Sequence, residues 1–83
     1  MEHVAEWQAH VYLFEHDSTT QARVVLHTGA NTLTGQGLAR CHPADPDVLE
    51  LGDELAVGRA FIELGERLVH AASEDTAALG RAR

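Results

Sequence analysis

The strongest constraint on this chain is a mirror-symmetric alternation around residues 17 and 18. Trp7, Ala9, Val11 and Leu13 share one parity, and Gln8, His10, Tyr12 and Phe14 share the other. Further on, Ala22, Val24 and Leu26 alternate with Arg23, Val25 and His27. A period of two marks a strand with one buried and one mixed face. Between the two runs, Glu15-His16-Asp17-Ser18-Thr19 is a short polar link. Residues 6–15 and 20–28 therefore read as a hairpin centred near Asp17-Ser18. That register pairs Val11 with Val24 and Leu13 with Ala22 inside. It sets Tyr12 opposite Arg23, His10 opposite Val25 and Gln8 opposite His27 outside. Both faces agree, and a slip of one residue would exchange them.

Thr28-Gly29-Ala30-Asn31-Thr32 reads as a second turn, with Gly29 and Asn31 available for positive φ. A third strand is expected over roughly 33–41. Its Gly35 and Gly37 share parity with Leu33, Ala39 and Cys41. Two glycines on one strand face leave room for close approach, and a neighbour packed over them, Trp7 or a helix, is the expected reason. Residues 53–72 then carry a helical pattern. One apolar row is Leu55, Ile62 and Val69, and another is Val57, Phe61, Leu64, Leu68 and Ala72. Arg59, Glu63, Glu66, Arg67 and His70 lie opposite, with Arg59 expected to pair with Glu63. After Ser73-Glu74-Asp75-Thr76 a short second helix is expected around residues 77–79.

This order predicts a single α+β domain over residues 1–83: a three-stranded antiparallel meander packed by one long helix, with a short C-terminal helix, in two layers. With 83 residues, such a chain buries only about 60% of its unfolded surface. One helix leaves Tyr12, Phe14, Val25 and Leu38 on an open sheet face and does not use up its own apolar arc. The surplus predicts a homodimer, with Phe14, Phe61, Leu64, Leu68 and Val69 as candidate contacts.

Charge narrows the function classes. Thirteen acids against six bases give −7. All the bases are arginine, and residues 42–83 are the more acidic half. Nucleic-acid binders usually gain affinity by neutralising phosphates with a basic surface. The balance thus predicts no DNA binding, and no tight binding of ribosomal RNA by the isolated protein at physiological salt. The longest unbroken apolar run, Val11-Tyr12-Leu13-Phe14, is far short of the roughly 20 residues that span a bilayer. The acidic start Met1-Glu2-His3-Val4-Ala5-Glu6 is unlike a signal peptide, and Cys41 is the single cysteine. A cytoplasmic protein is expected.

The chemistry-bearing residues fall short of the patterns that catalysis and metal binding need. Ser18 and Thr19 beside His16 and Asp17 are accounted for by turn preference, with no positioned base or oxyanion hole. Cys41-His42 lacks a zinc-site spacing, and Asp45, Asp47, Glu50, Asp53 and Glu54 lack that of a calcium loop. Gly35-Gln36-Gly37 is not a phosphate loop. No catalytic residue, cofactor or metal site is expected. The one candidate partner face is the open side of the sheet, where His10, Tyr12, Arg23, Gln36 and Arg40 are of the stacking and hydrogen-bonding types that bind RNA.

Several segments together resemble a known family: Trp7-x-Ala-x-Val, Thr20-x-Ala-Arg23, Leu33-x-Gly-x-Gly-Leu-Ala-Arg40, His42-Pro43-Ala-Asp45 and Leu51-Gly52-Asp53-Glu54-Leu55-Ala56-Val57-Gly58-Arg59-Ala60. The chain resembles, over residues 6–78, a family of small actinobacterial proteins of unknown function, some linked to dormancy and hypoxic stress. The family often has Asn-Pro at His42-Pro43 and Ala at Gly58. The resemblance implies a dimerising α+β domain, similar in fold to double-stranded-RNA-binding or ribosome-hibernation domains. The expected function is a non-enzymatic, dimeric, stress- or dormancy-associated interaction protein with an unidentified protein partner. The alternative is a ribosome-associated translation-silencing factor.

Overall fold

A computed structural model describes residues 2–40 and 49–81, with the side chains of 49, 50 and 75–81 left aside. The element order is β1 (Gln8–His16), β2 (Thr19–His27), β3 (Thr32–Arg40) and α1 (Leu49–Arg81). The strands form one antiparallel sheet in the order β1-β2-β3. The hairpin register is the expected one: Val11 faces Val24, Leu13 faces Ala22, Tyr12 faces Arg23, His10 faces Val25 and Gln8 faces His27. Asp17 supplies the positive φ, 53°, that this two-residue turn needs. The β2–β3 turn is held differently from expectation, because no described glycine has positive φ. Instead the Thr28 hydroxyl accepts from the backbone N–H groups of Ala30 (3.3 Å) and Asn31 (2.9 Å), while Thr28 N–H donates to the Asn31 carbonyl at 2.8 Å.

The helix lies on the face formed by Ala22, Val24, Gly35, Gly37 and Ala39. Its contacting surface joins Val57, Leu64 and Leu68 of the second apolar row read from the sequence to Ala56 and Ala60, which lie in neither row. The buried core is Ala22, Val24, Ala39, Ala56, Ala60 and Leu64, and Leu26, Leu33, Val57 and Leu68 pack around it. Leu55, Ile62 and Val69 point to solvent. The glycines explain the choice of small residues. A Cβ built on Gly35 would strike the Ala60 carbonyl and come within 2.7 Å of the Leu64 nitrogen; one on Gly37 would strike the Ala56 carbonyl and lie 2.5 Å from the Ala60 nitrogen. The helix backbone itself therefore covers the glycine pair, and Trp7 stays half exposed.

The helix is one element of 33 residues, without the expected break. Ser73 does not cap a new helix; its hydroxyl donates to the Val69 carbonyl one turn back, at 3.0 Å. At about 1.5 Å per residue such a helix is roughly 50 Å long, and it overhangs strands of nine residues. The radius of gyration is 16.9 Å, against about 12 Å for a compact chain of this length. Among the described residues no helix is long and apolar enough to cross a membrane.

Candidate interaction surfaces

The two edges of the sheet differ. An antiparallel strand sends the N–H and C=O of alternate residues to opposite sides. The hairpin turn closes between His16 and Thr19, so that pair and every second pair beyond it, including Tyr12–Arg23, exchange bonds across the hairpin. On β2 the groups of Thr20, Ala22, Val24 and Leu26 then turn to β3. The outer edge of β3 is left with Thr34, Gln36 and Leu38. α1 bonds one backbone group of each of these residues. Arg59 Nη1 donates to the Leu38 carbonyl at 2.6 Å, Gln36 N–H donates to Glu63 Oε1 at 3.2 Å, and Arg67 Nη1 donates to the Thr34 carbonyl at 2.8 Å. Glu63 also pairs with Arg67 at 3.1 Å. Spacings of four along the helix thus match alternate residues of the β3 edge and blunt it. Arg59, expected to pair with Glu63, serves the strand instead.

The same ladder phase gives β1 an outer edge made of Ala9, Val11, Leu13 and Glu15. No side-chain bond to those groups is present among the described residues. β1 also lacks cover on its helix-facing side: all nine of its residues are exposed, with Val11 and Leu13 at 44%. The helix turns about 100° per residue, so Val57 and Phe61 lie on the flank away from the Arg59–Arg67 contacts, toward β1. Together with Val11 and Leu13 they form an apolar step along an unprotected strand. Of the five candidate dimer contacts, Leu64 is 3% exposed and belongs to the protomer's own core, and Leu68 packs against that core. Phe14, Phe61 and Val69 are exposed. Phe14 lies on the opposite sheet face from Phe61, and Val69 lies on the back of the helix.

That opposite face holds the expected partner residues. His10, Tyr12, Arg23, Gln36 and Arg40 all point outward and are exposed, and Gln36 sits opposite Arg23. Phe14, expected on this open face but not counted among the partner residues, joins them, with the Arg23 guanidinium 5.7 Å from its ring centroid. His27 joins as well, its ring 5.4 Å from that of His10 in an edge-on contact. The signal was their shared parity. The fifteen outward positions, five on each strand, include no Asp or Glu. The net charge of −7 is thus divided unevenly over the surface.

A carboxylate pair, missed by sequence reading, joins the hairpin end to the start of α1. Thr20, 1% exposed, donates its hydroxyl to Asp53 Oδ1 at 3.1 Å. Asp53 in turn raises the pKa of Glu15 above the usual 4.5, first through a hydrogen bond between the side chains and then through repulsion. The one hydroxyl shown bonded to this pair among the described residues, that of Thr20, is buried. No group of three His, Cys, Asp or Glu converges as a metal site among the described residues. Cys41, His42, Asp45 and Asp47 lie outside them.

Comparison with known proteins agrees with this architecture. The solved structure of Rv2632c superposes with a TM-score of 0.84 at 40% identity, over 94% of either chain. The uncharacterised protein Rv2632c of Mycobacterium tuberculosis is 41% identical over 75 residues, which cover 89% of this chain and 81% of that one. The uncharacterised protein Mb1767 of Mycobacterium bovis is 39% identical over 79 residues, covering 94% and 84%. Nothing in these relatives indicates a catalytic family. A family model described as Rv2632c-like matches residues 5–83, and the chain belongs to that family.

Proposed function

We propose that this chain is a non-enzymatic interaction protein that works as a homodimer, in the stress- or dormancy-linked setting that the resemblance implies. The carrying observation is the asymmetry of the sheet edges. Proteins blunt exposed strand edges because these pair with other chains. Here Arg59, Glu63 and Arg67 blunt β3, whereas β1 is nine residues long, apolar and uncovered. A second copy of β1 fits it. Antiparallel pairing about a two-fold axis near Tyr12 sets Val11 against Leu13 of the partner subunit, and both belong to the edge-facing set. The helix-facing apolar residues of the two copies then adjoin beneath the overhanging Phe61 side chains. The alternative, a ribosome-associated translation-silencing factor, is favoured by one observation, the outer sheet face without carboxylates.

Sedimentation tests the dimer. Val11→Pro removes an N–H that points out of the hairpin, so the protomer keeps its ladder. Val11→Lys places a charge at the seam on a residue already 44% exposed. The wild type is expected to sediment as a dimer at micromolar concentration, and both variants as folded monomers. A monomeric wild type, or variants that remain dimeric, would refute the proposal.

A further inference from the structure

The outer face of the sheet has a composition unlike the rest of the molecule. Its fifteen positions hold Arg23, Arg40 and three histidines without one acid, in a chain of net charge −7. The described acids of α1 other than Glu63 belong to a helix packed on the opposite face of the sheet. Near the face, Asp17 stands at the hairpin tip against His16 (3.3 Å), and Glu63 at the β3 edge is engaged by Arg67 and the Gln36 N–H. At physiological ionic strength charges beyond a Debye length of about 8 Å are largely screened. A ligand on this face therefore meets its arginines and histidines rather than the net charge.

The side chains are also flat. Arg23 lies over the Phe14 ring, and the rings of His27, His10 and Tyr12 follow one another with centroids 5.4 and 6.5 Å apart. Beside them the amides of Gln21 and Gln36 meet at 3.5 Å and, with Leu38, line a shallow hollow. Planar rings and guanidinium groups take stacked bases, amides read base edges, and arginines take phosphates. A second copy of the same face would instead set arginine against arginine.

We propose that the outer sheet face binds a nucleic-acid single strand, with bases stacked on Tyr12, Phe14 and His10 and phosphates held by Arg23 and Arg40. This deepens the ribosome-associated reading by naming the ligand class of that face, yet it holds for a strand of any source. An acidic protein segment would satisfy the arginines and leave the ring platform unused. With two arginines per protomer, few phosphates are neutralised. Binding is accordingly expected in the micromolar range at low salt and weaker at physiological salt.

The test uses fluorescence anisotropy on the full chain at about 50 mM salt. The probes are labelled single strands of RNA and of DNA, about ten nucleotides long, an RNA duplex, and poly-glutamate. Arg23→Gln and Ser73→Asp make the same change in net charge, on the face and at the far end of the helix respectively. Saturable binding of one or both single strands is expected, with RNA set against DNA showing whether the 2′-hydroxyl contributes. Arg23→Gln and Tyr12→Ala should each weaken it by about tenfold, while Ser73→Asp leaves it unchanged. Circular dichroism of each variant establishes that it is folded, and Tyr12→Ala and Arg23→Gln report independently. No saturable binding, preference for the duplex, equal binding of poly-glutamate, or equal loss in Ser73→Asp would each overturn the proposal. Co-sedimentation with ribosomes separates the two readings. Strand binding without ribosome association sustains this proposal and removes the ribosome, and ribosome association without strand binding overturns the proposal.

Discussion

Replacing Gly37 by alanine adds one methyl group at the tightest point between the layers. The new Cβ would collide with the Ala56 carbonyl and lie 2.5 Å from the Ala60 nitrogen and 2.8 Å from the Arg59 Cβ. Two of these three atoms are helix backbone, so no side-chain rotation relieves the clash. The helix must rise from the sheet by more than half an ångström, thinning the packing of Val24, Ala39 and Ala60 as well. Overpacking typically costs about 1–3 kcal/mol, and a backbone obstacle sets the expectation near the top, about 3 kcal/mol. A domain of this length has a total stability of roughly 4–12 kcal/mol. The melting temperature should fall by about 10–20 °C. Gly58 and Gly65 are the controls. A Cβ at either meets nothing within 4 Å, and glycine inside a helix costs up to about 1 kcal/mol relative to alanine. Thermal and urea unfolding of the three Gly→Ala variants should give one large loss at 37 and a small gain at 58 and 65. A Gly37→Ala protein that melts with the wild type would show that the helix does not rest on the strand backbone, and the account of the core would fail.

Three further outcomes are expected. Arg59→Ala should cost about 1 kcal/mol for its bond to the Leu38 carbonyl, and together with Arg67→Ala it should open the β3 edge; light scattering would then detect species larger than those of the wild type. Glu15 is held above its usual 4.5 by Asp53, so the folded state keeps this proton to higher pH than the unfolded chain. Its contribution to stability is present at low pH and lost as pH rises through the window just above 4.5. Glu15→Gln should therefore melt higher than the wild type at neutral pH and lose that part of the pH dependence; coincident melting curves across the range would refute the coupling. Thr20→Val leaves Asp53 without its hydroxyl donor and should destabilise by about 1 kcal/mol in urea titrations, since the side chain is otherwise fully packed.

The local features were legible in the sequence because their causes are local. Alternation of Val11 and Leu13 against Tyr12 and Phe14, with Asp17 at the turn, determines the hairpin, its register and the side of the sheet on which each residue stands. The same parity placed Gly35 and Gly37 against the helix and His10, Tyr12, Arg23, Gln36 and Arg40 together on the open face. Of the packed helix face, Val57, Leu64 and Leu68 were legible, but Ala56 and Ala60 were not, because hydrophobic periodicity favours large side chains. Contact with a glycine strip instead selects Ala56 and Ala60 and leaves Leu55, Ile62 and Val69 outside.

Tertiary structure decided what the charges do. From sequence, Arg59 has Glu63 one turn away; in the fold it has a strand carbonyl from Leu38, 21 positions distant, at 2.6 Å. Only the placement of the helix over β2 and β3 makes one sheet edge blunted and the other bare. The charge sum hid a division that the sheet imposes. Of the described acids behind the −7, only Glu15 stands on a strand, at a helix-facing position, and the outer face has none, because outward parity on three paired strands gathers residues that composition averages away.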